Sequence, residues 1–267
     1  MAGNTNRQII VCNVPCSYYT DISDGLANMP IYRYMPLGYL MDMIRSGENV
    51  LVSPLKWDDP FEAAVVKVPS KWYDGSPVDV SVLGTELFAQ CWCADKEESD
   101  LRWKAYGGGD VVRIGTTVGK LLESVNIAFP DKTAMSLATL FGEVMYVPQS
   151  YLVGICSEMP LMRYPELVSL CMLLKRDAYR QEEEWRLLIR NIEANGMDDF
   201  RAHVKIEEGL MRIPIANQQD FLAEIMLGPY VSREREDILK QAILGHGWGT
   251  SIIKSAIDEQ PSFLTNY

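Results

Sequence analysis

Glu182, Glu184 and Arg186, within Gln181-Glu182-Glu183-Glu184-Trp185-Arg186, are the residues of this chain best suited to chemistry. Read as a strand of period 2, the segment places these three on one face and Trp185, Leu187 and Ile189 on the other, in a core. Two carboxylates about 7 Å apart on one strand, with an arginine beside them, could stabilise a developing positive charge or hold and move a proton. The plain alternative is a solvated sheet face whose charges pair among themselves. These residues alone leave both open.

Three further segments carry candidate groups. Tyr32-Arg33-Tyr34 sets an arginine between two aromatics. If the tyrosines face a core, Arg33 points away from it, where a guanidinium fork holds phosphate oxygens by paired hydrogen bonds. A solvated arginine on an edge strand is the simpler reading. Trp57-Asp58-Asp59-Pro60-Phe61-Glu62 is a turn bearing three carboxylates. There Asp59 either only initiates the turn before Pro60 or binds a ligand hydroxyl. Trp103 and Tyr106 are spaced i, i+3 on one helical face and followed by Gly107-Gly108-Gly109, an arrangement suited to stacking on a flat ring. Core aromatics followed by a helix end would look the same.

The rest of the sequence narrows the classes. The 267 residues are 48% hydrophobic and 23% charged, which is ordinary for a globular chain able to bury a sizeable core. A net charge of -11 argues against a general grip on nucleic-acid backbone, although Lys175, Arg176 and Arg180 could form a local basic patch. Gly107–Gly109 lacks the lysine and hydroxyl of a phosphate-binding loop, and there is no GxGxxG fingerprint, nucleophile elbow or HExxH motif. Two distant histidines, His203 and His246, and six cysteines without paired CxxC spacing predict no metal site. The apolar run Ile9-Ile10-Val11 is too short for a signal-peptide core, and no stretch approaches spanning length. The expected location is therefore the cytoplasm, with its thiols reduced.

The elements expected to position these groups begin after an irregular segment, residues 1–29, and form a single α+β domain over 30–267. A strand at Ile31–Tyr34 leads into a helix through Ile44 that Gly47 stops. Ser99-Asp100 caps a short helix bearing Trp103 and Tyr106. Strands are predicted at 50–52, 88–93, 111–115, 143–147, 184–189, 204–206, 211–215, 225–227 and 251–254. Helices are predicted from Thr116-Thr117, over 164–180, and over 233–244. Strands and helices mix without strict alternation, which favours α+β over a doubly wound sheet.

Taken in order, the four segments resemble the bacterial domain-of-unknown-function family 2971, over roughly residues 30–255. That family shows an early Tyr-Lys/Arg-Tyr, an Asn-Asp-Pro-Phe-Glu turn, Trp-x-x-Tyr with a glycine before a strand, and a late Glu-x-Glu-Trp/Tyr-Arg. This chain departs from it at Asp58, Ala105 and Arg113. The family in turn is similar to mono-ADP-ribosyltransferases, whose split sheet binds NAD. The resemblance implies Glu184 as catalytic carboxylate, Glu182 as its partner and Tyr106 as the central aromatic. It also implies Arg33, Tyr34, Trp103, Asp59 and Arg186 around NAD, no metal, and transfer to an unknown acceptor or to water, in a toxin or phage-defence setting. The alternative expectation is a non-catalytic α+β module of a defence system that binds a ligand or a protein. A metal-dependent nucleic-acid-processing enzyme is the third.

Overall fold

The structure is a computed structural model. It describes residues 6–11, 14–19, 24–67, 70–71, 74–78, 81–106, 110–130, 139–158, 165–191, 204–248 and 250–258. The strands are β1 (Asn6–Val11), β2 (Val14–Tyr19), β3 (Pro30–Pro36), β4 (Glu48–Val52), β5 (Ser70–Lys71), β6 (Pro77–Val78), β7 (Leu87–Cys93) and β8 (Val111–Thr117). They continue as β9 (Thr139–Glu143), β10 (Met145–Val147), β11 (Leu174–Arg176), β12 (Glu184–Arg190), β13 (Lys205–Glu207), β14 (Leu210–Pro214), β15 (Glu224–Leu227) and β16 (Ser251–Lys254).

Period-2 alternation decides the main sheet. In β12, Leu187 and Ile189 enter one core cluster, with Trp92 and Phe141, while Leu188 enters a second, with Ala89 and Leu140. Both faces of this strand are therefore covered, and Glu184 and Arg186 share the face of Leu188. Leu187 has no exposed surface. Leu187→Ala is expected to cost about 2–5 kcal/mol, the range for opening a cavity at a buried leucine, read as a lower urea midpoint at unchanged slope.

The strands run in the order β1-β2-β9-β12-β7-β3-β8-β15-β16, with β4, β14 and β13 branching from β7. Pairing is antiparallel except for β15 with β16, so the sheet is mixed and the fold α+β, as the sequence predicts. The sheet is also split. β3 pairs with β8 along its whole length, but it meets β7 at the single pair Tyr32↔Cys93. Beyond that pair the β3-β8 half and the β7-β12 half diverge. Tyr32, Tyr34, Cys93, Trp103, Val111 and Met226 form a third cluster at the junction. Arg113 is buried there, pairing with Glu224 at 2.7 Å and lying over the Tyr32 ring.

Local sequence explains the helices that flank the site. The helix Leu37–Ser46 ends at Gly47, whose φ of 67° lets its N–H bond the Met43 carbonyl. The helix Asp100–Ala105 starts at Ser99, whose side chain accepts the Arg102 N–H, and Tyr106 is its final cap.

Three expectations are corrected. Residues 6–11 and 14–19 pair antiparallel as β1 and β2 rather than staying irregular, because the β-formers Ile9-Ile10-Val11 find a partner strand. The helix over 164–180 ends at Cys171, and Leu174–Arg176 instead pairs in parallel with β10. Tertiary pairing there overrides the helical spacing. The strand at 143–147 divides into β9 and β10 around Val144.

Candidate active site

Five ionised groups meet where β12 begins. Glu184 holds Arg186 through Nε–Oε1 (2.6 Å) and Nη2–Oε2 (3.1 Å). The Lys175 ammonium, from β11, reaches Glu182 at 2.6 Å, Glu62 at 3.0 Å and Glu184 at 3.1 Å. Glu62 also accepts Arg186 Nη2 at 2.7 Å. Three carboxylates against two cations leave one net negative charge.

The two glutamates singled out by the sequence are brought together, though not by strand periodicity. Glu182 closes a 3₁₀ turn, Asp177–Glu182, and Glu183 takes the left-handed conformation at φ 45° before β12 starts. That reversal lets both carboxylates converge on Lys175. Tyr146 fixes the turn further, its hydroxyl accepting the Glu184 N–H at 2.9 Å.

The environment drives the two carboxyls apart. Burial would raise Glu184, but Arg186 and Lys175 overcome it and hold the carboxyl at about 2, with the Cys91 thiol also hydrogen-bonded to it. Glu182 moves the other way, raised first by desolvation and then by Glu184 and Glu62, against Lys175. Its side chain is 43% exposed, against 6% for Glu184. Glu184 is therefore charged at neutral pH and enclosed, whereas Glu182 is the accessible carboxylate with a raised proton affinity. The two carboxyls thus differ in proton affinity within one cluster.

A pH effect follows from Glu184. A carboxyl depressed by folding adds stability above its unfolded value near 4.5, and this is lost as pH falls toward 2. The contribution is about 3 kcal/mol. Urea midpoints are expected to drop between pH 5 and pH 2.5, and to drop less in Glu184→Gln.

Across the split lies Arg33, half-buried on β3 with its neighbours Tyr32 and Tyr34 turned into the core. Desolvation lowers its proton affinity, offset only in part by Tyr106, Cys91 and Tyr39. Among the described residues it makes no ion pair. Tyr106 lies close enough to feel both this cation and the carboxylates of Glu184 and Glu182. Although 45% exposed, its phenol is pushed up to about 12, by desolvation first, then by Cys91, Glu184 and Glu182 against Arg33.

The remaining sequence candidates lie elsewhere. Trp103 is 1% exposed, edge-on to Tyr34 with ring centroids 4.7 Å apart, and its indole donates to Glu98. Trp103 and Tyr34 are thus core residues behind the junction, not faces open to a ring. The Asp59 side chain is 6% exposed and makes a two-point contact with Arg176 (2.9 and 3.2 Å), whose guanidinium lies over Phe61. It anchors the turn that delivers Glu62. Arg186 is 1% exposed, stacked on Trp57 and bonded to the Met172 carbonyl, so it acts on the carboxylates from beneath. The basic patch dissolves into pairs: Lys175 with glutamates, Arg176 with Asp59, Arg180 with Asp177. Gly107–Gly109 lie outside the described residues. Sequence reasoning passed over Lys175, Glu62, Cys91 and Tyr146 as site residues. Of these, Glu62 was visible as the end of the turn motif, and Lys175 only as part of a basic run.

No family model matches the chain, so the resemblance to domain-of-unknown-function family 2971 rests on its four segments. No curated protein matches it. Among solved structures it is similar to Thermus sp. 2.9 DarT in complex with NAD+, at 8% identity and a TM-score of 0.35, covering 85% of this chain and 95% of that one. Two other DarT structures also match over 85% of this chain and 94% of that one. The complex with ADP-ribosylated ssDNA is 9% identical with a TM-score of 0.38, and the carba-NAD+ complex is 10% identical with a TM-score of 0.33. At these values the function has to be sought in the site itself. No helix among the described residues is long and apolar enough to cross a membrane.

Proposed function

We propose that this protein consumes NAD, breaking the nicotinamide–ribose bond and passing ADP-ribose to an acceptor or to water. The observation that carries the reading is Arg33, a partly desolvated guanidinium that makes no ion pair among the described residues, near Tyr106, whose phenol also feels the carboxylate pair Glu184 and Glu182. A half-buried cation without an ion pair among the described residues is stabilised by an anionic ligand, and a pyrophosphate matches its fork.

In this reading Arg33 takes the pyrophosphate and Tyr106 stacks on nicotinamide. Glu182, the accessible carboxylate, accepts the hydrogen bond of the ribose 2′-hydroxyl. As the C1′–N bond breaks, its electron pair stays on nicotinamide, which leaves neutral, and the ribose gains oxocarbenium character that a nearby carboxylate stabilises. The acceptor then attacks C1′ and gives its proton to Glu182, whose raised affinity suits it as a base. Glu184, Lys175 and Arg186 hold that carboxylate in place, which moves the substrate-facing role expected of Glu184 to Glu182. Residues 30–267 act as one α+β unit in this proposal. A cytoplasmic toxin or phage-defence role belongs to it too, since turnover that spends NAD without regenerating it depletes a cell's cofactor.

The burial of Glu184 favours one second reading, a non-catalytic binding module in which the charge cluster is only structural. Incubating the protein with NAD and quantifying free nicotinamide separates the two. Nicotinamide accumulating in proportion to protein supports the enzyme. Intact NAD in the presence of protein and nucleic-acid acceptors would overturn it in favour of the binding module.

A further inference from the structure

Among the described residues, Arg102 crosses from the helix of Tyr106 to the turn of Glu182. Its guanidinium donates through Nη2 to the carbonyls of Gln181 (3.4 Å) and Glu182 (3.3 Å), and lies 3.5 Å from the Glu183 carboxylate. Through Nη1 it reaches Asp95 at 3.4 Å. The side chain is 11% exposed, and its Nε is buried without a partner. Its helix packs Trp103 against the β3-β8 half, whereas residues 181–184 lead into β12 of the other half. The fork thus gathers the left-handed turn on which the Glu182 carboxylate depends, across the line where the sheet divides.

We infer that Arg102 is a positioning residue that sets Glu182 relative to Tyr106 across the split in the sheet. The inference rests on the assignment of Glu182 and Tyr106 to NAD chemistry made above. Arg102 itself makes no ion pair, among the described residues, with any of the three carboxylates on Lys175; it acts through the backbone that carries Glu182. A lysine in its place is a point charge and could satisfy one carbonyl, not the set. Displacing a reacting group by about 1 Å can cost roughly 100-fold in rate, whereas the pyrophosphate contact of Arg33 is left as it was.

Arg102→Met, which keeps the apolar stem, and Arg102→Lys test this in the full-length protein with NAD as the probe. The expected result for the Met variant is a kcat for nicotinamide release lower by roughly 10- to 100-fold, with KM within about threefold of wild type. The Lys variant is expected to recover part of the loss. A kcat unchanged in the Met variant, or a loss carried entirely by KM, would overturn the inference. Should wild type release no nicotinamide, the NAD reading fails by itself, and amide hydrogen exchange then decides the tie. Exchange at 181–184 faster by roughly tenfold in Arg102→Met, with 187–190 unchanged, sustains it; unaltered exchange at 181–184 refutes it.

Discussion

Glu182→Gln is expected to lower nicotinamide release by roughly 100- to 1,000-fold, the scale on which losing one electrostatic stabiliser of a transition state is felt. The amide keeps the shape of the side chain and can still accept a hydrogen bond, but it carries no charge against the oxocarbenium and cannot take a proton. Thermal stability should hardly fall, because Glu182 is the most exposed member of the cluster and Lys175 retains Glu62 and Glu184. A Glu182→Gln protein turning over NAD at the wild-type rate would remove Glu182 from the chemistry.

Arg186→Met should act on stability. The side chain is buried between Glu184 and Glu62, with its guanidinium against Trp57. Removing it leaves two enclosed carboxylates to a single ammonium, and breaking a buried ion pair from one side costs about 3–5 kcal/mol. The methionine recovers some stem packing but none of the charge. Equilibrium urea unfolding at pH 7 would register this as a lower midpoint. A midpoint equal to wild type would mean that Glu184 is protonated or hydrated in the folded protein, contrary to its depressed proton affinity.

Much of the frame was legible because strand periodicity is local. Tyr32 and Tyr34 inside, with Arg33 turned away from them, follows from alternation alone, as does the core face of Leu187 and Ile189. Glu182 and Glu184 were paired correctly for the wrong reason. A strand repeat predicts their shared face, but a left-handed Glu183 and a common lysine produce it. Glu62 approaches Arg186 across 124 positions, a contact that no spacing rule reveals. Trp103 and Tyr106 show the limit of helical spacing. Their i, i+3 interval suits one face, yet Tyr106 lies at the cap, φ -98° and ψ 16°, where the helix has ended. One ring is therefore buried and the other exposed. The helix expected over 164–180 fails for a related reason, since Leu174–Arg176 is claimed by a strand partner remote in sequence.

Titration calorimetry of NAD into wild type and Arg33→Ala tests the central claim most directly. Saturable binding to wild type is expected, weakened by roughly 10- to 100-fold in the variant, as for loss of a charged hydrogen-bond donor. No heat of binding to wild type at millimolar NAD, or equal affinity in both proteins, would contradict the dinucleotide site proposed between Arg33 and Glu182.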